Sequence, residues 1–304
     1  MPIIEVTPPF QLQDRASRNG PAVATNGQRL VMGWRGLNED NIWVSVSTDG
    51  GTTWSPQRVL RDRATRNAPA LTAIGGRFIM AWQGVFEDTI WVSTSSDGLT
   101  WSPQVPLTDR GTRENPALGS TGDLAVMVWR GVGEDNTIWV STSHDGFNWT
   151  PQRPLRDRGT RNGPAVAGAI RTRNSGQRFV MVWRGVFENN LWFSTSPDGL
   201  TWSPQRELSD RGTQSSPGLA HSDKLDMFFM AWQGADQPNI WVSSSEDGVT
   251  WTTQEELNDC LTQTGPIGLV PTSPPGLAPS GLFGMAFLGL FEPNIWVTQL
   301  QPQP

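Results

Sequence analysis

The sequence predicts an all-β fold, a six-bladed β-propeller of four-stranded antiparallel blades. A unit of about fifty residues recurs along the chain, and each unit breaks into four short β-rich segments bounded by turn residues. The last unit then ends one strand short, and the N-terminal segment has the sequence of the missing piece.

The repeat shows in three series of tryptophans. Trp34, Trp82, Trp129, Trp183 and Trp232 each end an apolar run and precede Arg-Gly or Gln-Gly. Trp43, Trp91, Trp139, Trp192, Trp241 and Trp296 sit in Ile-Trp-Val or a close variant. Trp54, Trp101, Trp149, Trp202 and Trp251 follow an Asp-Gly turn, at spacings of 47, 48, 53 and 49 residues. In the first unit, strand A is expected at Pro21–Thr25 and the Asn26-Gly27 turn at its end, because both residues tolerate positive φ. Strand B follows at Arg29–Arg35, strand C at Asn41–Ser47 and strand D at Thr53–Leu60. No segment has helical periodicity of useful length. The fourth unit is longer, through an enlarged A–B turn at Gly168–Gly176.

The sixth unit holds strands A (Gly265–Val270), B (Leu282–Gly289) and C (Asn294–Leu300). Val6-Thr7-Pro8-Pro9-Phe10-Gln11-Leu12-Gln13-Asp14-Arg15 aligns with Trp54 to Arg63, so the first strand is expected to complete the last blade and close the ring. The chain reads as a single domain, 1–304, with repeats at about 13–60, 61–107, 108–155, 156–208, 209–257, and 258–300 plus 3–12.

Composition narrows the function. The chain has 304 residues, 32 Gly, 24 Pro, 16 Trp, no Tyr, and Lys224 as its one lysine. A net charge of −6 gives no reason to expect nucleic acid or an anionic membrane as partner. No apolar run is long enough to span a bilayer, so membrane insertion is not expected. Cys260 is the lone cysteine, which excludes an intramolecular disulfide framework and a Cys-based zinc site. No basic segment followed by an apolar one opens the chain, which leaves cytoplasmic location and export without a signal peptide both open. Oligomeric state is not legible. No cofactor is expected, and the Glu-Asp loops match no calcium-loop spacing. His144 and His221 occupy non-equivalent positions, which suggests neither a triad nor a metal site.

In a four-stranded blade, the B–C and D–A loops share one face. The D–A loops repeat Asp-Arg and then a second Arg with Asn: Arg18-Asn19, Arg66-Asn67, Arg113 with Asn115, and Arg161-Asn162. Gln214 and Gln263 replace that second Arg in the last two. The B–C loops supply Arg35 and Glu39, then Glu87, then Arg130 and Glu134, then Arg184 and Glu188, with Phe86 or Phe187 beside them. Arg and Glu offer the donors and acceptors that vicinal hydroxyls need, and an apolar surface covers a sugar ring's C–H face. These residues are the expected carbohydrate sites, and their repetition implies multivalency. The first Arg of each loop follows Asp directly and is read equally well as a blade-to-blade tie.

The turn Ser47-Thr48-Asp49-Gly50-Gly51-Thr52-Thr53-Trp54 and its four shorter versions resemble the Asp-box, or BNR, repeat of sialidases and several sugar-binding propellers. The resemblance covers five of six units and implies blade architecture, with Asp accepting backbone N–H bonds and Trp packing between sheets. A sialidase-like activity would require a Tyr nucleophile, an Asp acid/base and an Arg trio for the substrate carboxylate, and this chain has no Tyr. Near-equivalent repeats also suit an enzyme badly, because one active site needs unlike residues from unlike blades. The expectation is therefore a non-catalytic, multivalent lectin, similar in chemistry to fucose-binding propeller lectins though without their sequence motifs. A protein-interaction scaffold and a divergent sialidase-like glycosidase are the alternatives.

Overall fold

The computed structural model describes residues 3–170, 176, 178–272 and 282–302. It contains six four-stranded antiparallel sheets, each with the spatial order A-B-C-D, arranged in a ring. Strand A of every blade contacts strand A of both neighbours, so the A strands surround the axis and the D strands lie outside. Closure is as the sequence predicts. The N-terminal strand Ile3–Ala16 pairs antiparallel with strand C of blade 6, Asn294–Pro302, from Ile3↔Pro302 to Ala16↔Asn294.

Blade 1 shows how sequence becomes strand. Strand B, Leu30–Arg35, is buried at five consecutive positions because sheets pack on both of its faces. Strand C, Asn41–Ser47, alternates at its outer end. Ile42 and Val44 are buried while Trp43 between them is half-buried, which is the period-two pleat. The turn at Asp49 is held by its carboxylate, which accepts from Thr53 N at 2.9 and 3.0 Å. In blade 2 the same acceptor, Asp97 Oδ1, takes Leu99 N and Thr100 N at 2.8 and 2.7 Å. Gly98 sits at φ 78°, a left-handed conformation that favours glycine. Trp101 Nε1 then donates to Gly98 O at 3.1 Å, and its ring packs on the apolar seam between blades 1 and 2.

Strand D differs from the expected Thr53–Leu60. It runs Arg58–Ala64, and the corresponding strands lie at Val105–Gly111, Arg153–Gly159, Arg206–Gly212 and Glu255–Leu261. The segment after Trp54 is irregular because Pro56 has no N–H to give a ladder and Ser55 Oγ takes the Val46 N–H instead, at 3.1 Å. The strand then bulges: Ile42 faces Leu60 but Asn41 faces Ala64. The Asp-Arg pairs therefore lie within strand D and not in a loop. Strand A of blade 6 is likewise displaced, to Gly268–Thr272. Most of the enlarged turn expected at Gly168–Gly176 lies outside the described residues.

The five Trp at strand B ends (Trp34, Trp82, Trp129, Trp183, Trp232) are fully buried, with Phe287 in their place in blade 6. Six apolar clusters fill the six seams between blades. The axis is not an open channel. On the A–B turn side it is a funnel of about 540 Å³. At the other end Ser216 Oγ of blade 5 donates to Asn115 Oδ1 of blade 3 at 3.1 Å, across the axis.

Candidate functional site

The B–C loops are built alike. In each, the glycine after strand B donates its N–H back to the first residue of strand C, as Gly36 to Asn41 O at 3.0 Å and Gly185 to Asn190 O at 3.0 Å. This closes a short loop which, in every blade but the fifth (Gln237 there), places an acidic residue four positions before the half-buried Trp of strand C. That carboxylate accepts the indole N–H: Trp43 Nε1 to Glu39 Oε1 at 2.8 Å, Trp91 to Glu87 at 2.9 Å and Trp192 to Glu188 at 3.0 Å. In blade 3 the partner of Trp139 is Asp135 Oδ2, at 2.9 Å, so Glu134, named from the sequence as a sugar ligand, is not the acid that occupies this position. The blade 3 loop is one residue longer, so Asp135 takes the place of Glu39 and Asn136 that of Asp40, while Glu134 points to solvent.

The strand B arginine is anchored at two points. Arg35 Nη2 pairs with Asp40, and its Nη1 donates to Arg66 O of blade 2 at 2.7 Å. Arg184 repeats this with Asn189 Oδ1 at 2.7 Å and Gln214 O at 3.2 Å, and adds Asn162 Oδ1 at 3.1 Å. Arg130 binds Asn136 Oδ1 through Nε and Nη2, at 3.0 and 2.7 Å, and lies 3.6 Å from Glu114. Burial pushes the Glu114 carboxyl up from its ordinary value, and Arg130 opposes that shift. Burial also holds the Arg184 guanidinium below its ordinary range, helped by the like charge of Arg161. The direct partners of Arg184 are thus two neutral amides and a carbonyl, with the charge of Arg161 close by.

Of the second arginines, Arg18, Arg66, Arg113 and Arg161 are all exposed on this face. Arg113 Nε reaches Asp88 Oδ2 of the preceding blade at 3.3 Å. The asparagines divide. Asn67 Nδ2 spans Gln83 Oε1 at 2.8 Å and Arg113 O at 2.9 Å, tying two blades. Asn162 orients Arg184, and Asn19 is half-buried. Asn115 is buried at the closed end of the axis and offers nothing to a ligand on this face, which removes it from the expected site.

The first arginines are structural. Arg15, Arg63, Arg110, Arg158 and Arg211 are buried, each beside its neighbouring Asp. Each reaches the next blade: Arg110 donates to Ser141 Oγ at 2.7 Å and Thr150 O at 3.3 Å, and Arg158 to Ser194 Oγ at 2.7 Å and Ser203 O at 3.1 Å. Two of them also lie over the next blade's buried indole, 5.9 Å from Trp129 and Trp183. The Trp43 series was the residue set that reading the sequence for sites passed over. Its signal was present: an acidic residue four positions before each of Trp43, Trp91, Trp139, Trp192 and Trp296. Phe86 and Phe187 project from the loop tips, each 98% exposed and packed against nothing in the fold.

His221 lies in the axial funnel, buried, with Nδ1 3.3 Å from Asp223 and Nε2 3.7 Å from Asp226. No group of three His, Cys, Asp or Glu able to hold a metal occurs among the described residues.

No family model and no curated protein matches the chain. Solved structures do. Hadza microbial sialidase Hz136 superposes with a TM-score of 0.65 at 18% identity over 92% of this chain and 65% of its own, so this chain spans less than two thirds of that sialidase. A protein of unknown function from Dyadobacter fermentans gives 0.68 at 14% identity over 99% of both chains. The Aleuria aurantia lectin, in complex with Fucα1-6GlcNAc, gives 0.58 at 12% identity over 94% of this chain and 97% of its own. At these identities the likeness establishes the fold. The chain is a six-bladed β-propeller resembling sialidase and lectin propellers.

Proposed function

We propose that this chain is a non-catalytic glycan-binding protein with several sites on the B–C and D–A face. The observation that supports it is the repeated pairing of a half-buried indole with a carboxylate, beside the guanidinium of the same blade and the exposed Arg that opens the next. A carboxylate already locked to Trp Nε1 keeps its second oxygen for a sugar hydroxyl, while Arg66 or Arg18 supplies donors across the cleft. The carboxylate half is held in place by its indole, so little ordering entropy opposes its part in binding. The lectin and sialidase likenesses support sugar as the ligand class. Absence of Tyr, and sites repeated where one asymmetric centre would be needed, support binding without catalysis.

The test is a glycan array at high protein concentration, followed by Arg66→Ala and Glu87→Ala. Each variant is expected to lose roughly tenfold in affinity at its cleft, the scale of about 1.4 kcal/mol, with an unchanged melting temperature. A silent array, or hydrolysis of a chromogenic glycoside, counts against the reading. Capture of one stoichiometric protein, unaffected by free sugars, favours a scaffold instead.

A further inference from the structure

Three phenyl rings on this face stand clear of the fold. Phe86, Phe187 and Phe291 are 98%, 98% and 88% exposed. They occupy the same position in the B–C loops of blades 2, 4 and 6, over 84–88, 185–189 and 289–293, so the three loops are equal in length. The same glycine-to-strand bond closes each, at 3.0, 3.0 and 3.1 Å. Blades 1, 3 and 5 carry Asn38, Gly133 and Asp236 at that position. The ring therefore presents aromatic tips on alternate blades, a trigonal set at one level on one side of a rigid disc.

We infer that this face docks on a zwitterionic, choline-headgroup bilayer surface, with the three phenyl rings entering the interfacial layer. A water-exposed phenyl that touches nothing gains by entering an apolar layer. The rings do not merge into one patch: each precedes a Glu (Glu87, Glu188, Glu292), and exposed Arg18, Arg66, Arg113 and Arg161 lie on the same face. The core of a protein interface is depleted of charge. Isolated rings among charges suit an interface where rings dip and charges stay among headgroups. Both charge signs interleave there and the chain carries −6 overall, so an anionic surface gains nothing from it. That no described helix is long and apolar enough to cross a membrane does not bear on surface docking.

The experiment is flotation of the full chain with phosphatidylcholine vesicles, with and without phosphatidylserine. The wild-type chain is expected to float with phosphatidylcholine, no better with phosphatidylserine present, and with little dependence on salt. The triple variant Phe86→Ser, Phe187→Ser, Phe291→Ser is expected to lose roughly tenfold or more in partitioning, with unchanged melting temperature. Each single variant is expected to lose part of it. Failure of the wild type to float overturns the inference, as does unchanged flotation of the triple variant. A dimer in sedimentation velocity that becomes monomeric in the triple variant overturns it too, and assigns the rings to a second copy. Glycan binding is read separately without vesicles, so failure here leaves the proposed sugar sites standing.

Discussion

At the residue scale, the acidic turn residues show how a single carboxylate can carry a structural duty with a pH signature. Asp145 is opposed by its partial burial, but bonds from Asn148 N, Asn148 Nδ2, Phe147 N and Ser143 Oγ outweigh that and hold it at about 2. Asp49, Asp97, Asp198 and Asp247 are depressed in the same way. A carboxylate whose folded pKa lies below its unfolded value stabilises the fold above the unfolded value, and that contribution disappears as pH falls through the folded one. The melting temperature is therefore expected to hold to about pH 4 and to fall between about pH 4 and pH 2. Calorimetry across that range checks it, and a flat profile contradicts it. Asp97→Ala removes the one acceptor of two N–H groups in the turn and is expected to cost about 1–2 kcal/mol by urea unfolding. In the clefts, Trp91→Phe keeps the ring but removes the donor to Glu87, and is expected to weaken glycan binding more than it lowers stability.

At the element scale, strand D serves as both outer edge and clasp. Arg63 sits at its end, buried beside Asp62, and donates to Ser93 Oγ at 3.2 Å and to the Ser102 carbonyl of the next blade. Arg63→Met keeps much of the stem packing and removes the clasp. It is expected to cost about 2–3 kcal/mol in denaturant unfolding, because bonds from a buried guanidinium are lost. This is also where the sequence was hardest to read. Strand C was legible to the residue, Asn41–Ser47, because Ile-Trp-Val alternation and a following Asp-Gly turn bracket it. Strand D was not, because its boundary depends on Pro56 lacking a donor and on a bulge opposite Asn41, and neither leaves a periodic trace. The candidate site was half legible. Repeated Arg and Glu marked the face, but which acidic residue meets Trp139 depends on one inserted residue, and the burial of Asn115 on a contact from blade 5.

At the scale of the whole molecule, closure is the dominant fact, and the sequence carried it openly in the likeness of the first strand to the later D strands. The strand Ile3–Ala16 covers the open edge of Asn294–Pro302 and brings Arg15 against Ser45 Oγ of blade 1 at 3.1 Å. Removing residues 1–16 exposes that edge and removes the Arg15 clasp on blade 1, so the truncated chain is expected to aggregate or to lose a single cooperative transition. Light scattering and a comparison of unfolding probes would check this; a monomeric, two-state product would count against ring closure as the source of stability.

The six seams are not alike. Five carry a buried Arg and a glutamine latch, such as Gln104 Nε2 to Asp62 O at 2.8 Å and Gln205 Nε2 to Asp157 O at 2.9 Å. At the seam between blades 5 and 6, Cys260 stands where Arg would be and Pro9 where Gln would be. That seam is apolar, with Phe229 stacked on Phe283 at 4.8 Å and Cys260 buried among Ile267, Leu269 and Met285. Apolar contacts weaken on cooling, whereas hydrogen-bonded and ionic ones do not follow the same curve. This join of the ring therefore depends on temperature differently from the other five. In the cold, amide exchange should open first along Gly268–Thr272 and Glu255–Leu261, a thermal gate set by two substitutions in an otherwise repeating clasp.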